Sequence, residues 1–416
     1  LLVENEAGYR NLCRLVSGVN LDPNFVLIEA LRLDHEGLIC VCSQPCLLAQ
    51  LKSIFGKDRL FSPVPLRPGL NPVAWSHFAY LNETDVSVSR ILKRVRELGT
   101  ADTRPASGSV KLVPERQWRR QFEACPEALA HAKGLVRRCD FNLLDRGLVF
   151  PRSRLISADN SSRELARRCH RGLAQRYGRI DQDSVRRLEA ELNVIRDKGF
   201  SDYFLVVWEI VNFAKQQGIP VEVRGSAAGS LVSYVLGFTC VCPLENHLYF
   251  ERFLNPGRTD CPDIDIDFCW RRRDQVIRFC YEHWGQEHVA MVCNINRFRR
   301  RGAVRDVARA WGHSPQQVDR IAKQGKGDAA VYQWAEKLIG IPRHLGVHCG
   351  GIIMTPDPVA QLAPLAWSTK GVIITQYDKR AVEPAGLVKI DLLSNRALST
   401  VHDALSMIGS GGLDIE

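Results

Sequence analysis

Residues 261–268 read Cys-Pro-Asp-Ile-Asp-Ile-Asp-Phe, with three carboxylates at every second position and large apolar residues between them. Successive side chains of a β-strand point to opposite faces, so this spacing places Asp263, Asp265 and Asp267 on one face. Carboxylates this close repel one another unless a cation or water neutralises them. The stretch therefore predicts either an exposed acidic strand or an oxygen-ligand metal site, which suits Mg²⁺ or Mn²⁺ rather than zinc.

A second motif lies upstream of the acidic strand. Residues 219–223 predict a short strand, residues 231–238 predict an apolar helix, and residues 224–230 between them read Arg-Gly-Ser-Ala-Ala-Gly-Ser. A strand that runs through small residues into a helix N-terminus presents backbone N–H groups to an anion, and Arg224 and the Ser226 hydroxyl can add hydrogen bonds. The motif is neither a Walker loop nor a dinucleotide fingerprint. Small residues at a helix start can also serve close packing alone.

The glycine-rich motif and the acidic strand that follows it suit one kind of reaction when they are taken together. Transfer of a phosphoryl or nucleotidyl group needs one element that holds the phosphates and another that holds the metal ions bridging them. Residues 387–393 form a third stretch, a short apolar strand whose single carboxylate, Asp391, could complete the acidic cluster. Together the three stretches indicate a site for such transfer.

A basic segment follows the acidic strand. Residues 296–309 contain six arginines, and in a helix Arg301, Arg305 and Arg309 share one face. Such a face suits the phosphates of a nucleotide or of a nucleic-acid backbone, and a solvated basic helix is the alternative.

A histidine-containing segment lies farther along the chain. Residues 343–351 contain two histidines and a cysteine, but no fourth zinc ligand is in view. We therefore expect a glycine-shaped turn that leads into a strand, with His348 bonded to the backbone or to phosphate.

Composition describes a globular chain with an excess of basic residues. The 416 residues suffice for roughly two or three domains. Hydrophobic residues make up 45% and charged residues 25%, and the net charge of +10 suits a polyanionic partner. The 14 cysteines show no zinc-finger spacing. We expect a cytoplasmic protein without a membrane segment, because neither a signal peptide nor a long apolar run is visible.

Four ordered motifs resemble one family, the bacterial family C DNA polymerases, which comprise the DNA polymerase III α subunit and its error-prone relatives. These are the glycine-rich run at 224–230, Phe-Glu-Arg-Phe-Leu-Asn-Pro at 250–256, Pro-Asp-Ile-Asp-Ile-Asp-Phe at 262–268 and Gly-Leu-Val-Lys-Ile-Asp at 386–391. The resemblance covers almost the whole chain. It implies a DNA-directed DNA polymerase, in which a primer 3′-hydroxyl attacks a deoxynucleoside triphosphate with the help of two Mg²⁺ ions.

The resemblance also assigns roles to individual residues. The metal-binding catalytic carboxylates match Asp265, Asp267 and Asp391, and Asp263 is expected to support them. The candidate nucleotide- and phosphate-binding residues are Arg224, Gly225, Ser226, Arg301, Arg305 and His348. Primer–template DNA and a deoxynucleoside triphosphate are the implied partners, and a sliding clamp and other replisome subunits are expected only for a longer form.

The expected fold class is mixed α/β: a palm like that of the polymerase β nucleotidyltransferases with a helical thumb insertion, preceded by a degenerate, truncated PHP-type domain. The predicted parts are 1–105 (PHP-like), 106–140 (helical connection), 141–296 (first palm part with the phosphate turn and aspartate motif), 297–346 (thumb-like insertion) and 347–416 (second palm part with the third aspartate, fingers absent). The PHP-like part is expected to be metal-free, because the family's His-x-His motif is missing.

Two other functions stay open at this point. If the chain is a fragment without fingers, the motifs could persist in a non-catalytic remnant that only binds nucleic acid. A PHP-type phosphoesterase is a third class, which the missing histidines disfavour.

Overall fold

The computed structural model describes residues 1–64, 70–97, 110–156, 160–255, 257, 262, 264–324 and 328–408. The predicted supporting residue Asp263 lies outside the described residues. The described part is mixed α/β, as expected. Its strands are β1 (Leu2–Val3), β2 (Leu38–Val41), β3 (Leu60–Pro63), β4 (Asn71–Val73), β5 (Phe78–Tyr80), β6 (Val110–Lys111), β7 (Val221–Arg224), β8 (Asp265–Cys269), β9 (Val289–Arg297), β10 (Pro342–Met354), β11 (Leu365–Trp367), β12 (Ile373–Asp378) and β13 (Lys389–Asn395).

Helices are interspersed with these strands along the described part of the chain. They are α1 (Glu6–Leu21), α2 (Leu27–Leu33), α3 (Leu48–Phe55), α4 (Glu83–Glu97), α5 (Glu115–Arg120), α6 (Pro126–Arg138), α7 (Ser161–Tyr177), α8 (Gln182–Asp197), α9 (Ser201–Gln216), α10 (Leu231–Val235), α11 (Arg273–Trp284), α12 (Arg300–Ala310), α13 (Pro315–Gln324), α14 (Ala329–Leu338), α15 (Lys379–Val382) and α16 (Arg396–Ile408).

The chain divides into two compact units. Unit 1 comprises Leu1–Leu15, Asn24–Phe141 and Ile295–Gly346, and unit 2 comprises Val16–Pro23, Asn142–Asn294 and Val347–Glu416. The predicted thumb-like insertion thus belongs to the same unit as most of the predicted PHP-like part, of which residues 16–23 belong to unit 2. The five-part division of the chain into PHP-like, palm and thumb-like segments stays a prediction.

Unit 1 contains a small sheet and a separate helical cluster. The sheet has the order β1-β2-β3-β4, with β2, β3 and β4 parallel and β1 antiparallel to β2. The helical cluster packs Ile91 of α4 against Val304 and Val307 of α12 and against apolar residues of α13 and α14. The apolar spacing along these helices explains their association, because residues three and four apart share a helix face.

The predicted helical connection over 106–140 is not one continuous helix. Its described part contains α5 and α6, and Pro126 stands in the first turn of α6. Proline has no N–H to donate to a preceding turn, so it favours a helix start and interrupts a helix interior.

Unit 2 is built on a seven-stranded mixed sheet with the order β11-β12-β9-β10-β13-β8-β7. In β8, Ile266 and Phe268 are fully buried, as are Ile390 and Leu392 in β13, so each strand directs alternate side chains into the core. Helix α11 packs against β13 and against α9. Helix α9 is apolar on nearly all sides, which suits a helix buried within a core.

Core packing around the central strands predicts a large cost for truncation. Ile390→Ala removes a fully buried side chain from β13 and is expected to lower the free energy of unfolding by about 2–5 kcal/mol. Ile408→Ala is the matched control, because Ile408 is exposed on α16, and it should change that free energy by less than about 0.5 kcal/mol. Denaturant titration measures both, and equal losses would contradict this account of the core.

Candidate active site

The two central strands of unit 2 bring the predicted carboxylates to one face. Strand β8 pairs in parallel with β13, and Asp265 stands directly beside Asp391 in this register. Aligned residues of paired strands share a face, and so do residues two apart within a strand, so Asp267 joins them. Asp267 and Asp391 are buried and Asp265 is half-buried. The alternation predicted for the acidic strand is confirmed for its described residues.

One carboxylate oxygen of Asp391 pairs with a lysine, and the other accepts no hydrogen bond from the described residues. Its Oδ2 forms an ion pair with Lys389 Nζ, and its Oδ1 lies 3.7 Å from His348 Nδ1. Among the described residues, Oδ1 is buried and accepts no hydrogen bond. Because buried carboxylate oxygens normally have a partner, this oxygen marks a position at which a cation would be stabilised.

Asp267 is oriented by an asparagine that sequence reasoning missed. Asn395 Nδ2 donates to Asp267 Oδ2 at 2.9 Å, and Asn395 Oδ1 accepts from Ala397 N at 2.8 Å. One side chain therefore connects the carboxylate to the first turn of α16. A signal for it was present, because Asn395 lies four residues after Asp391 in one strand and so on the same face.

Arg224 supplies positive charge to the acidic face. Strand β7 pairs antiparallel with β8, which places Arg224 opposite Asp265. Its Nε lies 3.4 Å from Asp267 Oδ2 and 3.9 Å from Asp265 Oδ2. The same pairing places Glu222 opposite Asp267, a further carboxylate that sequence reasoning did not consider. Arg224 and Lys389 thus provide the neutralising cations that the acidic strand was predicted to need.

The glycine-rich turn differs from the prediction at its helical end. Residues Gly225–Gly229 form a 3₁₀ turn, and Gly225 has a φ of 78°, a left-handed conformation that favours glycine. The predicted helix over 231–238 is only α10, which ends at Val235. Leu231 N and Val232 N donate to Glu191, at 3.0 and 3.1 Å. The expectation that the helix start offers these N–H groups to phosphate was therefore wrong, because an internal carboxylate uses them.

At the strand end of the turn, the two residues predicted to bind phosphate are accessible to solvent. Gly225 and Ser226 are exposed, whereas Ala227 and Gly229 are buried. Phosphate binding by Gly225 and Ser226 stays a prediction.

Arg301 and Arg305 lie on α12 in unit 1. Arg301 is exposed, but Arg305 forms an ion pair with Asp319, and Arg309 Nη1 lies 3.4 Å from Asp306 Oδ1. Two arginines of the predicted basic face are thus engaged by carboxylates. A nucleotide or DNA contact from Arg301 or Arg305 stays a prediction.

His348 lies within a strand, so the predicted turn before that strand was wrong. Strand β10 runs without interruption from Pro342 to Met354, lies between β9 and β13 in the sheet, and pairs antiparallel with β13 at Gly351–Ile353. His348 Nδ1 accepts from Gly351 N at 2.7 Å and from Gly350 N at 3.3 Å, the backbone alternative of the two expected partners. Burial lowers the pKa of His348 below its ordinary value, although Asp391 opposes the shift. The neutral ring is therefore the favoured form.

The donor set fits a hard divalent cation in part. Three carboxylates share a face, and such oxygen ligands suit Mg²⁺ and similar ions. Asp391 Oδ1 accepts no hydrogen bond from the described residues, so this oxygen is available to an ion. Within the described ranges, however, no three or more His, Cys, Asp or Glu side chains already converge around one ion position. In place of a metal ion, Arg224 forms an ion pair with Asp267 and Lys389 forms one with Asp391.

The chain thus belongs to the class of mixed α/β proteins in which a carboxylate cluster and a glycine-rich turn share one sheet. Residues 163–331 and 324–394 match the bacterial DNA polymerase III alpha NTPase domain, and the chain belongs to this family. The resemblance inferred from the motifs is confirmed. All the site residues predicted from the sequence lie within the matched ranges, and Asn395 lies one residue beyond them.

Three curated relatives illustrate the similarity. The chain is 36% identical over 371 residues to an error-prone DNA polymerase of Symbiobacterium thermophilum, covering 82% of this chain and 34% of the relative. It is 32% identical over 473 residues to DNA polymerase III subunit alpha of Bacillus subtilis, covering 98% and 42%. It is 34% identical over 386 residues to that subunit of Escherichia coli, covering 82% and 33%. The chain therefore spans between 33% and 42% of the length of these relatives.

None of the described helices combines the length and apolar character needed to cross a bilayer.

Acid is expected to destabilise the fold through His348. Because its folded-state pKa is lowered, the unfolded chain takes up this proton first as pH falls, and the free energy of unfolding decreases from about pH 7 to pH 5. The His348→Gln variant lacks this ionisable group, so the free energy of unfolding of the variant should depend less on pH than that of the wild type. Denaturant unfolding at several pH values measures both.

His402→Gln is the control for this experiment, because His402 is exposed on α16. It should retain the wild-type pH dependence. A His348→Gln variant with unchanged pH dependence would show that His348 is not the titrating group.

Proposed function

We propose that the chain is part of a DNA-directed DNA polymerase, which transfers a nucleotidyl group from a deoxynucleoside triphosphate to a primer 3′-hydroxyl. The observation that carries the proposal is the register of β8 with β13, which aligns Asp265 with Asp391 and places Asp267 on the same face. Strand β7 leads from this face directly into the glycine-rich turn. The relatives' names, error-prone DNA polymerase and DNA polymerase III subunit alpha, support the same reaction.

In this proposal the sheet of unit 2 is the palm. Helices α12 to α14 are the thumb-like insertion, and the sheet β1-β2-β3-β4 with its helices is the truncated PHP-like domain. Primer–template DNA and a deoxynucleoside triphosphate are the substrates. The net charge of +10 supports a polyanionic partner.

Asp265, Asp267 and Asp391 would hold two Mg²⁺ ions, for which Mn²⁺ could substitute. When bound, these ions lower the pKa of the primer hydroxyl and neutralise charge on the departing pyrophosphate. The chain's own side chains orient and balance charge around them. Asn395 fixes the rotamer of Asp267, and Arg224, whose side chain is 55% exposed, can turn from the carboxylates to a phosphate oxygen.

A nucleic-acid-binding protein without catalysis is the second candidate function. One observation favours it: Arg224 and Lys389 already pair with Asp267 and Asp391, so two of the three carboxylates have a cationic partner without a metal ion. This candidate predicts DNA affinity that falls with rising salt, and no nucleotide incorporation.

Primer extension with Mg²⁺ separates the two candidates. Asp265→Asn and Asp267→Asn are each expected to reduce extension by at least ~100-fold, because each removes a charge that stabilises the transition state. Asp274→Asn is the matched control, since the Asp274 side chain is 89% exposed, and it should retain wild-type activity.

DNA binding is measured on the same variants at several salt concentrations. Extension that survives both substitutions would refute the polymerase assignment. Salt-sensitive DNA binding by a wild-type chain that incorporates no nucleotide would establish the second candidate.

Removal of the Asn395 amide should weaken use of the metal. Asn395→Ala frees Asp267 to rotate, so the Mg²⁺ concentration for half-maximal extension is expected to rise about tenfold, as for other residues that orient metal ligands. The exposed neighbour Ser394→Ala is the control. An unchanged Mg²⁺ requirement in a folded Asn395→Ala protein, as judged by thermal unfolding, would contradict this role.

A further inference from the structure

The start of α10 is occupied by a buried carboxylate from another helix. Glu191 of α8 has a side chain only 1% exposed. It accepts from the Ser230 hydroxyl at 2.8 Å, and from the backbone N–H groups of Leu231 and Val232 at 3.0 and 3.1 Å. The N–H groups that end the glycine-rich turn thus already have an internal anion as their partner.

Arg187 extends this contact to the turn itself. Its Nε donates to Glu191 Oε1 at 2.7 Å, one helical turn along α8. Its Nη2 lies within hydrogen-bond distance of two carbonyl oxygens, Gly229 O at 3.4 Å and Leu248 O at 3.3 Å. One guanidinium therefore joins α8, the last residue of the turn and the segment that precedes Phe250.

The turn is packed closely at this end. A Cβ atom on Gly229 would lie 3.0 Å from Tyr249 O, closer than ordinary van der Waals contact. Burial raises the pKa of the Glu191 carboxyl, whereas the hydrogen bonds from Arg187, Ser230, Leu231 and Val232 favour its ionised form. The pair formed by the buried Glu191 and the half-buried Arg187 therefore fits one position of the turn, because a shift would leave the buried Glu191 charge without its partners.

The opposite end of the turn is fixed by the sheet. Arg224, the residue before the turn, pairs with Asp265 in the β7–β8 ladder. The turn is thus held between strand β7, which carries the site residue Arg224, and helix α8, in which the sequence predicted no site residue. Only Gly225 and Ser226, at the strand end, are exposed.

We propose that Glu191 and Arg187 are positioning residues for the triphosphate of the incoming nucleotide, an inference that rests on the proposed function. They hold Gly225–Gly229 in one conformation, and Glu191 closes the start of α10 to phosphate. A polyphosphate is thereby directed to the exposed end at Gly225 and Ser226, beside Arg224 and the carboxylates.

Steady-state primer extension with the full chain tests this role. Glu191→Gln keeps the shape of the side chain but removes its charge, and is expected to raise the KM for the deoxynucleoside triphosphate about tenfold while kcat changes less than about threefold. Arg187→Met should have the same effect, and Arg187→Lys should recover part of it. Glu189→Gln and Arg186→Met are matched controls, because both side chains are exposed on α8.

Two measurements accompany the kinetics. The affinity for a magnesium–deoxynucleoside triphosphate is measured by calorimetry, and backbone amide exchange is followed over residues 226–232. Glu191→Gln should weaken binding about tenfold and accelerate exchange in this segment, with exchange in α9 unchanged. If Glu191→Gln does not fold, Arg187→Lys provides the same comparison with a smaller change.

The outcomes separate this proposal from the function on which it rests. Faster exchange with unchanged KM and affinity would overturn the positioning role while leaving the polymerase assignment intact. A fall in kcat at constant KM would also overturn it, because the pair would then act on the chemical step. A wild-type chain that neither extends a primer nor binds the nucleotide would overturn the proposed function, and with it the triphosphate as the positioned ligand.

Discussion

The parallel pairing of β8 with β13 is the constraint on which the candidate site depends. It aligns Asp265 with Asp391, two residues that are far apart in the chain, and leaves Asp267 on the same face. Such a face is stable only when its negative charge is balanced. Arg224 from the neighbouring strand β7 and Lys389 within β13 provide part of that balance. The cluster is thus partly compensated, and an incoming cation would compete with these side-chain cations for the carboxylates.

A second internal ion pair organises the glycine-rich turn. Glu191 accepts hydrogen bonds at the start of α10 and Arg187 donates to Gly229 O and Leu248 O, so α8 holds the turn at one end and β7 holds it at the other. In both places a charged side chain occupies a position that phosphate or metal could otherwise take. The arrangement leaves a narrow exposed segment, Gly225 and Ser226, between the two clusters.

Local patterns predicted the strands that carry the site in unit 2. The alternation in β8 agrees with the structure, and β7 and β13 overlap the short strands predicted at residues 219–223 and 387–393, because such patterns are read within a few residues. Predictions failed where neighbours decide the outcome. Strand β10 includes His348, although a turn was predicted there, and the start of α10 is capped by a residue from α8. Neither feature leaves a signal in the adjacent sequence.

By itself, the sequence determined the mixed α/β class, the family, and the residue types of the candidate site, because periodicity and short motifs are local properties of the chain. Only the tertiary structure decided which charges meet. Sheet register brought Asp391 to Asp265, placed Arg224 over the carboxylates and revealed Asn395 as the residue that orients Asp267. The reason is physical: hydrogen-bonded strands and buried ion pairs join residues without regard to their separation along the chain, and a charge is tolerated in a core only where the fold supplies its partner.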